Sequence, residues 1–295
     1  MELQTNLAKL FFVETFNQPN VENFSNAQPP LIWQPENPTP NNPPWNVPTA
    51  IGTWVLSLLA IIIFPAMFIV PYFLMNRQIS LETFQSDPTA IFLSLLAVIP
   101  AHIFTLAAAW LVVTKFNKFS FKETLGWDWG GFKWWYFPVI VVSFFLFAAI
   151  VETFLPEQDN ELMRILQSSR SAVYVTALLA TFTAPVVEEV IYRGILYSAL
   201  QRSIGVVWAV TFVTAAFAGV HFLQYWGSPG TIVLICILSL ILTLIRVRTK
   251  NLLPCIVLHF IFNGIQSLVL ILQPFLPEKL GGAQEQAASV IHFFK

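Results

Sequence analysis

Apolar positions along this chain come in long continuous runs. They show neither the alternation of half-buried strands nor the narrow stripe of a surface helix. Seven runs lie at 50–75, 89–114, 134–155, 171–200, 204–224, 230–247 and 252–273. A bilayer core takes about 20 apolar residues as helix, whereas a barrel strand alternates and ends after about 10. The pattern predicts an all-α fold, a polytopic transmembrane helical bundle of about seven helices with room for an eighth. Residues 1–49 break it: from Asn17 onward they read NQPNVENFSNAQPPLIWQPENPTPNNPPWNVP, rich in Pro and Asn without helical or strand period. Such a stretch buries too little apolar area to offset ordering entropy, predicting a disordered or surface-lying tail. The segment FSFKETLGWDWGGFKWW, 119–135, mixes tryptophans with charges and reads as an interfacial stretch within an N-terminal helical block, 50–170. A second block, 171–273, carries the ionisable residues, and 274–295 form a tail.

Composition agrees with lipid as the main solvent: 56% hydrophobic, 11% charged and a mean hydropathy of +0.67. A net charge of −1 without a basic run speaks against a nucleic-acid partner. Cys236 and Cys255 fall within apolar runs and define neither a disulfide framework nor a metal site. The opening MELQTNLAKLFFVETF lacks a basic lead into a continuous apolar run, so no cleavable signal peptide is expected. Orientation follows the loop cations. Lys115, Lys118, Lys122, Lys133, Arg202, Arg246, Arg248 and Lys250 fall on one side; Arg77, Arg164, Arg170, Lys279 and Lys295 fall on the other. The bias places the first group, and with it the N-terminus, in the cytosol.

Charged groups inside the spans cost about 2.5–3.5 kcal/mol each and so face the bundle interior or a wet cavity. The fourth run holds PVVEEVIYRG, with Glu188, Glu189 and Arg193 together. Glu189 and Arg193 are four apart on one helix face, which suits an ion pair and leaves Glu188 without a partner. Pro185 removes an amide and frees the carbonyl of Thr181, predicting a kink beside the carboxylates. In the fifth run Phe217 and His221 share a face; in the seventh, His259 and Asn263 do. Gly194, Gly219 and Gly264 stand next to these groups and allow helices to approach closely.

One cavity built from these helices suits peptide hydrolysis. Glutamate and histidine can activate water, histidine and asparagine can donate to an oxyanion, and arginine can hold a base in place. Two imidazoles and a carboxylate also form a zinc set with Glu188, His221 and His259 as ligands, so zinc is an open alternative to a cofactor-free site. An aspartyl site is excluded, because Asp87, Asp128 and Asp159 lie in loops or at a span edge. No glycine has a serine two residues on, and no histidine is followed by glutamate, which excludes Gly-x-Ser and His-Glu-x-x-His chemistry.

In order, EEVIYR at 188–193, FAGVH at 217–221 and HFIFN at 259–263 resemble the Glu-Glu-x-x-x-Arg, Phe-x-x-x-His and His-x-x-x-Asn motifs of the CPBP (CAAX protease and bacteriocin-processing, or Abi) family of intramembrane endopeptidases. Type II CAAX prenyl endopeptidases share these motifs, and the resemblance covers 171–273. It implies that Glu188 and His221 activate water, that His259 and Asn263 stabilise the oxyanion, and that Glu189 and Arg193 support the site or bind substrate. It further implies a peptide or protein substrate, membrane-anchored or prenylated in the CAAX case; some relatives are tied instead to bacteriocin immunity. The expectation is an endopeptidase cutting near the cytosolic face.

Competing readings are a proton-coupled transporter, which would want inverted repeats not found here, and a scaffold or immunity protein of the same fold. The plainer account of Glu189 and Arg193 is a structural ion pair. His102 reads as a hydrogen-bonded cavity residue, Glu152 as interfacial, His292 as solvated, Phe217 as packing and RVRTK at 246–250 as a boundary. One feature of the spans conflicts with a shared site. Glu188 falls near mid-membrane and His259 in the cytosolic third, but His221 falls toward the far end of its run.

Overall fold

The computed structural model describes residues 38–76, 87–156, 161–272 and 275. Among these, nine helices follow one another: α1 (Val47–Met75), α2 (Pro88–Thr114), α3 (Phe121–Leu125), α4 (Tyr136–Phe154), α5 (Glu161–Ser168), α6 (Arg170–Ile204), α7 (Val206–His221), α8 (Pro229–Thr249) and α9 (Leu253–Leu272). Polar caps set several starts. Asn46, Asp87 and Ser169 accept the backbone N–H of Thr49, Ala90 and Ala172, each such cap contributing about 1 kcal/mol.

Six helices are long and apolar enough to cross a membrane: α1, α2, α4, α6, α8 and α9. Lipid-type surface covers them, with Ile62, Val142, Leu146 and Phe182 more than half exposed. The expected fifth span, 204–224, is corrected by α7, which has only 16 residues. At 1.5 Å per residue it rises about 24 Å, short of a bilayer core of about 30 Å.

The links between the long helices fall at two ends of the bundle. At one end Leu252 donates to the carbonyl of Gly126, at 2.7 Å. Gly130 sits against the backbone carbonyl of Thr249 with φ at +54°, and Gly126 has φ +74°; these two contacts and angles are why 119–135 needs glycine there. Trp134 and Trp135 stay exposed on that segment, as an aromatic belt requires. At the other end Gly230 packs against the carbonyl of Leu155, and Tyr72 hydrogen-bonds Asp87 between α1 and α2. The first end carries Lys115, Lys118, Lys122, Lys133, Arg202, Arg248 and Lys250.

The N-terminal tail, expected disordered or surface-lying over 1–49, lies on the bundle surface over the part that is described. Residues 1–37 lie outside the described residues, but 38–46 are docked on the first end of the bundle and α1 begins at Val47. Trp45 is buried and its Nε1 donates to the carbonyl of Ile195 in α6, at 3.0 Å. Ser198 Oγ, Gln201 Nε2 and both Arg202 Nη atoms donate to the carbonyls of Pro40, Asn41, Pro43 and Trp45. Arg246 is wholly buried and donates to the Asn41 side chain and the Pro40 carbonyl. The reason is that a proline-rich strand offers carbonyls with few N–H groups of its own to serve them. Composition measures its poverty in apolar area, whereas the docking uses its surplus of acceptors.

Candidate active site

The long helix α6 is not uniform. Leu179–Thr183 and Val190–Leu196 are π-helical, and the α-helical turns between them, Ala184–Glu189, carry both glutamates. π-Bulges recur at functional sites because they rotate side chains out of the regular register. Pro185 therefore does not break the helix; its missing amide is absorbed here. The N–H of Ala184 reaches back five residues to Leu179, and in that register the missing amide of Pro185 falls to the carbonyl of Ala180 rather than Thr181. Asn263 takes the Ala180 carbonyl, with Nδ2 donating at 2.9 Å.

Adjacent helical positions point about 100° apart, and the two glutamates part accordingly. Glu189 is wholly buried, while the Glu188 side chain keeps a quarter of its surface open to the cavity. Glu189 Oε1 accepts from Arg193 Nη1 at 3.0 Å and from His259 Nδ1 at 2.9 Å. Arg193, also wholly buried, donates its remaining groups to Ser239 Oγ at 2.7 Å, to the Ser239 carbonyl at 3.1 Å and to Thr243 Oγ1 at 3.3 Å. Its guanidinium lies 4.5 Å from the Phe217 ring centroid, so Phe217 stacks on a cation. The sequence reading missed Ser239 and Thr243. Their i, i+4 spacing in an apolar run was the available signal, but what they serve lies on another helix.

His259 stands between the carboxylates. With Nδ1–H given to Glu189, its Nε2 faces Glu188 Oε2 at 3.6 Å, an approach longer than a hydrogen bond. His221 packs on Phe217, ring centroids 5.1 Å apart, and its Nδ1 pairs with Gln224 Oε1 at 3.3 Å. Gln224 was not singled out from the sequence.

Glu188, His221, His259 and Asn263 line one cavity of about 540 Å³. Its wall runs from Leu162, Ile165 and Leu166 of α5 along the starts of α6 and α8 and the ends of α7 and α9 to the middle of the bundle, where Ile61, His102, Phe144, Glu188 and His259 line it. The conflict over depth disappears, because His221, in the last turn of α7, lines the same cavity as Glu188 and His259.

The zinc alternative can be tested against the same geometry. Among the described residues no group of three His, Cys, Asp or Glu is gathered as metal ligands. As arranged, Glu188, His221 and His259 are not gathered into such a set, and no step is derived through a metal.

No curated protein and no solved structure matches the chain. Residues 170–265 match the family described as Type II CAAX prenyl endopeptidase Rce1-like. This stretch includes α6, α7, α8 and the part of α9 bearing His259 and Asn263, and it is an integral membrane helical unit. The segment from the start of α6 into α9 is therefore similar to the Rce1-like type II CAAX prenyl endopeptidases, a family of proteases.

Proposed function

We propose that the chain is an intramembrane endopeptidase of glutamate type, hydrolysing a peptide bond within the cavity bounded by α6, α7, α8 and α9. The observation that carries the reading is the separation of two neighbouring carboxylates into different tasks. Glu189 is buried and spent on Arg193 and His259, whereas Glu188 is open to the cavity beside an imidazole edge.

In this scheme a water molecule sits between Glu188 and His221. The pairing of His221 Nδ1–H with Gln224 leaves its Nε2 lone pair for that water. As water oxygen attacks the scissile carbonyl carbon, its proton passes to Glu188. The tetrahedral oxyanion meets the second N–H of Asn263 Nδ2, the first being held by Ala180, and a protonated Nε2 of His259, whose charge Glu189 balances. Collapse breaks the C–N bond and Glu188 returns its proton to the leaving amine. Arg193 fixes Glu189 and thereby the ring of His259; it is a positioning residue.

The substrate in this reading is a membrane-anchored peptide, prenylated or otherwise lipid-held.

The test compares wild type with Glu188→Gln and His221→Ala, purified in detergent, on quenched peptides including a farnesylated one. Each substitution is expected to lower turnover at least about 100-fold, the usual worth of a general base, and a chelator is expected to leave wild-type turnover unchanged. Undiminished cleavage by Glu188→Gln would sink the mechanism. Wild type inert on every peptide would favour the scaffold reading.

A further inference from the structure

The cavity contains an imidazole that none of the three motifs supplies. His102 comes from α2, outside residues 170–265, and lines the same cavity as Glu188, His221, His259 and Asn263. It is buried, and its Nδ1 lies 2.8 Å from Thr183 Oγ1. Thr183 Oγ1 in turn lies 3.1 Å from the carbonyl of Leu179, which can only accept. A threonine hydroxyl has one proton to give. With that proton on Leu179, the contact with His102 requires Nδ1–H as donor and Thr183 as acceptor. The tautomer is thereby set, because a neutral imidazole protonated at Nδ1 presents Nε2 as a lone pair. Among the described residues Nε2 makes no hydrogen bond, and the His102 side chain borders the cavity.

Such an acceptor answers a specific need. A peptide drawn out of water into this cavity brings backbone N–H groups that must be paired or left unsatisfied. Thr183 precedes Glu188 by five residues, about 7.5 Å along the helix axis. That offset equals about two residues of extended peptide at roughly 3.3 Å each.

We propose that His102 is a substrate-positioning residue whose Nε2 accepts a backbone N–H of the bound peptide about two residues from the scissile bond. This rests on the peptidase reading above. The residue acts on binding and leaves the chemical step to Glu188 and His221.

The experiment uses a quenched farnesylated peptide and its series of single N-methylated analogues, hydrolysed by wild type, His102→Phe and His102→Gln. In wild type, N-methylation at one position two residues from the cut is expected to raise KM about tenfold with kcat within twofold, the order for one donor left unpaired. In His102→Phe the parent peptide already shows the higher KM, and N-methylation there adds less than twofold. In His102→Gln, which keeps an acceptor at that reach, the sensitivity returns. If wild type cleaves the peptides and the N-methyl penalties are the same in His102→Phe, the peptidase reading stands and the role of His102 is refuted. A wild type with no penalised position refutes it without any variant. If wild type cleaves none of them, the peptidase reading fails and takes this proposal with it.

Discussion

Replacing Arg193 by methionine should leave Glu189 charged, wholly buried and short of its main donor. In the native protein the guanidinium is held by Glu189, by two atoms of Ser239 and by Thr243, and none of it reaches solvent. Removing one partner of a buried ion pair costs about 3–5 kcal/mol, because the survivor keeps its desolvation penalty without compensation. Replacing both partners by neutral groups of similar shape is close to neutral by the same logic. Arg193→Met is therefore expected to lower the thermal midpoint in detergent by about 6–20 °C, at 2–4 °C per kcal/mol. The double variant Arg193→Met with Glu189→Gln should recover most of that loss. Peptide hydrolysis should stay low in both, because the single variant loses the guanidinium that fixes Glu189 and the double variant also loses the carboxylate that orients His259. The assay is intrinsic fluorescence during heating, read beside turnover of a quenched peptide. A single variant that loses less than about 1 kcal/mol, or a double variant no more stable than the single, would refute the argument that this pair is a buried, coupled unit.

Gly130→Ala should destabilise the fold by about 2 kcal/mol or more, since a Cβ there meets the Thr249 carbonyl and the backbone has φ of +54°; an unchanged thermal midpoint would contradict the docking of 119–135 on the α8–α9 turn. Trp45→Phe removes the donor to the Ile195 carbonyl and should cost about 1–3 kcal/mol for the acceptor left unpaired. Limited proteolysis should then cut within residues 38–46 faster than in wild type, and equal rates would mean that Trp45 does not anchor the segment.

Much of this protein was legible in one dimension. Bilayer thickness imposes a length on every spanning helix, so the apolar runs announced α1, α2, α4, α6, α8 and α9 within a few residues. The cost of charge in lipid singled out Glu188, Glu189 and Arg193, and helical spacing paired Glu189 with Arg193 and put His259 on one face with Asn263. Three things were decided only by tertiary structure. Residues 38–46 looked unable to fold because composition counts apolar area; their order depends on carbonyls meeting Arg202 and Arg246, more than 150 residues away. The depth of His221 looked wrong because hydropathy continues past the point where α7 ends. The partners of the buried groups, Ser239 and Thr243 for Arg193, Gln224 for His221, Thr183 for His102 and Ala180 for Asn263, have no sequence signature. A hydrogen bond is fixed by direction and distance across packed helices, and local pattern carries information only about the face a residue occupies on its own helix.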